Sequence, residues 1–237
     1  MQHPIEWLPA QGRPEQLILL LHGWASDAQD LLPLAQALRS EFPQAAIVAP
    51  DSPLPAGGGR RGRQWYSIEG LTEDLTLWPA RVTEALALLA PWVRAQQRRL
   101  GVGAAATAIG GFSQGAILAL QLALRHDGIA GRVLAFGGRL LEPPTAAPQA
   151  TTIHLFHGGA DRIFDAQYAR DALDQLAALQ GDATMDIAEG VGHEVHPALV
   201  QCALQRLRSH IPLRTWRAAL GAAPDARRRD EDDDAED

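Results

Sequence analysis

Short apolar runs alternate with stretches of helical periodicity along nearly the whole chain, and this alternation limits the fold more than any other feature. The run QLILLL at 16–21 has no polar interruption, as expected of a strand buried on both faces. Residues 45–49, 104–110, 132–136, 152–156 and 183–188 read as further strands. Between them, 27–39, 72–99, 114–125, 165–179 and 196–209 carry Leu and Ala at helical spacing. Pro79 and Pro91 are expected to break or bend the longest of these helices. Residues 50–70, rich in Pro, Gly and Arg, read as loop. Alternation of this kind predicts a mostly parallel sheet with helices on both faces. The expected organisation is one α/β domain over residues 1–222, followed by an acidic tail at 223–237.

Charge narrows the partners. The formal net charge is −7, but residues 225–237 hold eight acids and three arginines, so the tail carries −5 and the rest about −2. A nearly neutral body offers no electrostatic footprint for nucleic acid. The tail has no apolar residue except alanine and is expected to be disordered. All 21 basic residues are arginine. That excludes Schiff-base catalysis, a phosphate-loop lysine and a serine–lysine pair, each of which needs an ε-amine. The single cysteine, Cys202, excludes an internal disulfide and a cysteine-based metal cluster, and its helical setting suggests packing. No apolar run approaches the ~18 residues that span a bilayer. The opening MQHPIEWLPAQGRPE has no secretory pattern, so a cytoplasmic protein without stable membrane insertion is expected.

In open parallel sheets, sites lie at the carboxyl ends of the strands. Ser113 sits there, between a predicted strand and helix, in Gly111-Phe112-Ser113-Gln114-Gly115. This fits G-x-S-x-G, in which a sharp bend exposes the serine and presses the flanking positions against neighbouring backbone. A serine hydroxyl needs a base, and the base needs a partner that fixes its tautomer. His193, in the loop EGVGHEVH after the last strand, is the candidate base; His196, three residues on, is the alternative. Asp161, in the loop HGGAD after 152–156, is the candidate acid. Asp165 is its rival but reads as a helix cap. Two backbone N–H donors for a developing oxyanion are expected at Gln114, after the serine, and at Trp24, after QLILLL. His22 reads as a structural residue that orients the Trp24 loop. Gly57-Gly58-Gly59 with Arg60, Arg61 and Arg63 lacks the strand-to-helix context of a phosphate loop and reads as a mobile loop.

LHGWASD, GFSQG, HGGADRIF and GHEV, in this order, resemble the α/β-hydrolase family of carboxylesterases, lysophospholipases and acyl-protein thioesterases. The resemblance spans about residues 16–211. It implies a Ser113–Asp161–His193 triad, an oxyanion hole at the Trp24 and Gln114 amides, and no metal or organic cofactor. The early loop of these esterases often reads H-G-x-G-D; here Ala25 and Ser26 precede Asp27. Trp65-Tyr66-Ser67 matches the family in position, so Trp65 and Tyr66 either line the substrate pocket or anchor a long loop. Residues 137–151 leave no room for a cap domain, which implies an open, shallow site. The expected activity is hydrolysis of short-to-medium acyl esters or thioesters, on small molecules or acyl-proteins, by a monomer or homodimer. An acyltransferase, a perhydrolase or a non-catalytic binding protein on the same fold are the alternatives.

Overall fold

The computed structural model describes residues 1–71 and 76–221. In chain order the strands are β1 (Gln2–Trp7), β2 (Gln16–Leu21), β3 (Ala45–Asp51), β4 (Leu54–Pro55), β5 (Arg63–Gln64), β6 (Thr107–Phe112), β7 (Arg132–Phe136), β8 (Thr152–Gly158) and β9 (Ala183–Ala188). The helices are α1 (Leu32–Glu41), α2 (Leu77–Leu100), α3 (Gln114–Arg125), α4 (Gln167–Ala178), α5 (Pro197–Ser209) and α6 (Leu213–Gly221). Seven strands form one sheet in the order β1-β3-β2-β6-β7-β8-β9. All neighbours are parallel except β1, which runs antiparallel to β3. β4 and β5 make a separate two-residue pairing in the 50–70 loop.

The double burial expected of QLILLL is literal. Leu17, Leu19 and Leu21 enter one core layer, against α2, α3 and α4. Ile18 and Leu20 enter the other, against α1 and α5. Alternate side chains of a strand point to opposite faces, so a continuous apolar run feeds both layers. β3 does the same, with Ala46 and Val48 on one side and Ile47 and Ala49 on the other. Each leucine that is fully buried in this way contributes about 1.5–3 kcal/mol. This is the α/β-hydrolase fold, and residues 137–151 between β7 and β8 contain no helix or strand.

Some boundaries differ from the sequence reading. Residues 104–106 form a 3₁₀ turn rather than the start of a strand, and β6 runs on through Phe112 to the residue before Ser113. The predicted helix 27–39 divides into a 3₁₀ turn at Ala28–Leu31, capped by Asp27, and α1. Neither proline ends α2. Pro79 lies in its first turn, where an N–H would have no intrahelical acceptor. Pro91 lies on its solvent side with Ala87, whose carbonyl loses a helical partner there. The part of that predicted helix at 72–75 lies outside the described residues, as does the predicted acidic tail. Among the described residues no helix is long and apolar enough to cross a membrane.

Candidate active site

The bend after β6 carries Ser113. Ser113 has φ 51° and ψ −113°, a backbone state that side chains other than glycine rarely adopt. It is held by its own N–H, which donates to the Phe136 carbonyl at 2.9 Å. The flanking glycines are required by contact. A Cβ on Gly111 would overlap the Gly115 carbonyl, and one on Gly115 would overlap the Leu21 carbonyl. Gly115 thus lets the start of α3 close on the end of β2, which brings the following loop beside Ser113. A Cβ on Gly23 would lie 3.5 Å from the Ser113 Cβ.

Two loops at the other side of the sheet supply the partners. They are laced by main-chain bonds: Gly159 N–H donates to the Ala188 carbonyl and Ala160 N–H to the Val191 carbonyl, both at 2.8 Å. His193 Nε2 lies 2.9 Å from Ser113 Oγ, and His193 Nδ1 lies 2.6 Å from Asp161 Oδ2. A proton on Nδ1 donated to the carboxylate leaves Nε2 free to accept from the serine hydroxyl. The other carboxylate oxygen accepts from the Ile163 and Phe164 amides at 2.8 and 3.0 Å. The imidazole packs against Phe112 at 4.8 Å and edge-on to Phe164 at 5.6 Å between ring centroids.

The structure therefore brings together Ser113, His193 and Asp161. The alternatives lie elsewhere and do other work. Asp165 accepts the Gln167 N–H at the start of α4, and His196 caps α5 by accepting the Ala198 N–H. Gly137 and His157 were not singled out as site residues by the sequence. A Cβ on Gly137, where φ is 56°, would lie 3.3 Å from the His193 ring. His157 is buried, donates from Nε2 to the Phe164 carbonyl at 2.8 Å, and lies 3.3 Å from Asp161 Oδ2. Only its position in HGGAD, four residues before Asp161, hinted at this neighbour.

Gly23, Trp24, Phe112, Ser113 and His193 line a cleft of about 590 Å³. His22 precedes the Gly23–Ser26 segment that lines the cleft. That ring is buried and its pKa is lowered, because desolvation disfavours the cation. His22 Nδ1 lies 2.7 Å from the Gly23 carbonyl, and Nε2 accepts the Ser52 N–H at 3.0 Å. Ala25 takes φ 55°, in the left-handed region, where the H-G-x-G-D pattern of similar loops has glycine. The backbone keeps the turn although the residue differs, at a cost of roughly 1 kcal/mol.

Trp65 and Tyr66 do not line this cleft. Both are 3% exposed and belong to the core. Their polar groups hold neighbouring segments. Trp65 Nε1 donates to the His22 carbonyl at 2.8 Å, and Tyr66 Oη accepts from Trp78 Nε1 at 3.2 Å. Gln114 clamps the pair through its side chain: Oε1 accepts the Trp65 N–H at 2.7 Å and Nε2 donates to the Tyr66 carbonyl at 2.9 Å. The anchoring alternative is the one the geometry displays.

The fold and this constellation define a hydrolase of the esterase class. The chain belongs to the phospholipase/carboxylesterase family, whose model matches residues 7–211. It is 40% identical over 206 residues to Esterase YpfH of Escherichia coli (strain K12), covering 87% of this chain and 88% of that protein. It is 25% identical over 206 residues to acyl-protein thioesterase 1 of Gibberella zeae, covering 81% and 86%. Among solved structures it is similar to the crystal structure of esterase PE8, with a TM-score of 0.78, 31% identity, and coverage of 86% of this chain and 96% of that one.

Proposed function

We propose that this chain is a serine carboxylesterase that hydrolyses short-to-medium acyl esters or thioesters through an acyl-enzyme on Ser113. The hydrogen-bonded line Ser113 Oγ–His193–Asp161, at 2.9 and 2.6 Å, carries the reading. His193 Nε2 takes the hydroxyl proton as Ser113 Oγ attacks the acyl carbon. Asp161 holds the ring and stabilises the imidazolium that forms. The Trp24 and Gln114 amides donate to the oxyanion, each worth roughly 3 kcal/mol in the transition state. The imidazolium then protonates the leaving alcohol or thiol. In the second half, His193 takes a proton from water as its oxygen attacks the acyl carbon; the acyl–Oγ bond then breaks, His193 returns the proton to Ser113 Oγ, and the acid leaves. The cleft volume and the lack of a cap between β7 and β8 support small esters, or an acyl group presented by a larger molecule, as substrates.

The test is hydrolysis of 4-nitrophenyl esters, acetyl to palmitoyl, by wild type and Ser113→Ala. Wild type cleaves the short and medium esters, and the variant loses at least ~1,000-fold in kcat/KM. A variant as active as wild type overturns the assignment.

A further inference from the structure

The amino ends of the sheet carry a second cavity, of about 280 Å³, at the opposite end of β6 from Ser113 and ~20 Å away by strand length. One part of its wall is apolar, with Ile18, Phe42 and Leu207; the other holds Gln16, Arg132 and Arg214. Among the described residues, no Asp or Glu lines it. Arg132 opens β7, and Arg214 reaches in from α6. Thr152, the register partner of Arg132 on β8, draws both guanidiniums. Arg132 Nη1 and Arg214 Nη1 donate to its Oγ1 at 3.4 and 3.3 Å, so two like charges converge on one hydroxyl oxygen.

These charges are not matched by carboxylates. The arginine–carboxylate ion pairs of the described residues use Arg99, Arg206 and Arg208. Asp182 stands behind Thr152, where it accepts from Thr152 Oγ1 at 2.6 Å, His210 Nε2 at 2.9 Å and the Leu213 N–H at 3.0 Å. Two guanidiniums around one carboxylate leave a positive charge uncompensated. Burial, with Arg214 beside it, pulls the Arg132 pKa below the ordinary arginine value despite Asp182. Donors are available as well. Arg132 uses its Nη groups on the Gly131 and His210 carbonyls, at 3.1 and 3.5 Å, and on Thr152. Nε of both arginines and Nη2 of Arg214 have no partner among the described residues, and none of these nitrogens is sealed from solvent. An occupant of the cavity can therefore take their hydrogen bonds.

We infer that this cavity is a second, non-catalytic binding site, and that it takes a small alkyl carboxylate. Arg132 and Arg214 hold the carboxylate in charge-assisted hydrogen bonds, and Ile18, Phe42 and Leu207 receive the chain. A neutral alcohol would leave the excess charge uncompensated. Inorganic phosphate would suit the arginines but leave the apolar wall bare. The acidic residues at 225–237 offer carboxylates with no apolar side chain beyond alanine. The acids released by the proposed esterase are of the class that fits, but binding here does not depend on Ser113.

The arginine Nε–H resonances give a readout that needs no catalysis. Full-length protein, wild type and Ser113→Ala, is labelled with nitrogen-15 in arginine and titrated with hexanoate, hexanol, inorganic phosphate and N-acetylaspartate. The two signals are identified by their loss in Arg132→Lys and Arg214→Gln. Both move and saturate with hexanoate, equally in wild type and Ser113→Ala. Hexanol leaves them in place, and phosphate and N-acetylaspartate bind at least about tenfold more weakly. Arg214→Gln weakens the hexanoate response of Arg132 at least about tenfold. Signals that ignore hexanoate, that follow phosphate or N-acetylaspartate as strongly, or that lose their response in Ser113→Ala overturn the inference. So does an Arg132 response indifferent to Arg214→Gln. Ester hydrolysis that survives in Ser113→Ala, with the hexanoate response intact, would instead count against Ser113 as nucleophile.

Discussion

At the scale of single residues, Gln114 has two separable duties. Its backbone N–H is the proposed oxyanion donor, whereas its side chain holds a peptide segment 49 positions away. Gln114→Ala keeps the first and removes the second, leaving the Trp65 N–H and the Tyr66 carbonyl buried without partners. Each such group costs about 1–3 kcal/mol, so the variant loses at least about 2 kcal/mol of stability in urea unfolding. The sequence nominated Gln114 from its place after the serine. The clamp was not legible, because nothing local links residue 114 to residues 65 and 66. For the same reason Trp65 and Tyr66 could be placed near the site but not assigned to the core rather than the cleft. That Ser113 and Asp161 lie at strand ends was legible because β6 and β8 are continuous buried runs, whereas β9, ATMDIA, is only half-buried and His193 was placed from the glycine-containing loop after it.

At the scale of elements, the strand–bend–helix unit of β6, Ser113 and α3 works only if α3 meets β2 without a side chain between them. Gly115→Ala would drive a methyl into the Leu21 carbonyl. Neither backbone can yield cheaply, since β2 is paired on both sides. The expected cost is at least about 1–3 kcal/mol, with ester hydrolysis falling further than stability as the bend shifts. Thermal unfolding and nitrophenyl ester kinetics on the same preparation would show both. A variant with wild-type stability and rate would contradict this account of the glycine. Elements with a continuous apolar run or a strong helical stripe were read correctly to within a few residues. β1 and α6 were missed. β1, QHPIEW, lacks strict alternation and carries a proline, which an antiparallel edge strand tolerates. α6 is only nine residues long, too short for its Leu213, Trp216 and Leu220 to stand out as a helical stripe.

At the scale of the whole molecule, stability should depend on a histidine far from the proposed chemistry. His154 is wholly buried in β8, and burial, with His210 and Arg132 beside it, pushes its pKa down to about 3. The unfolded chain takes up this proton near the ordinary value of 6.5, while the folded protein does not until far lower pH. The folded state is therefore favoured above about 6.5 and loses ground as pH falls toward 3, by up to ~1.4 kcal/mol per pH unit. In His154→Leu that contribution to the slope is absent, so urea midpoints of variant and wild type draw together, or cross, between pH 6.5 and 4. Parallel midpoints over this range would contradict the burial argument.

The measurement that tests the central claim most directly is covalent capture of the nucleophile. The protein is treated with a fluorophosphonate, and the adduct is located by peptide mass spectrometry. Serine Oγ attacks phosphorus, fluoride leaves, and the proton passes to His193. The account predicts one phosphonyl group per chain, on Ser113, and none in Ser113→Ala. An unmodified protein, or an adduct on any other residue, would contradict it.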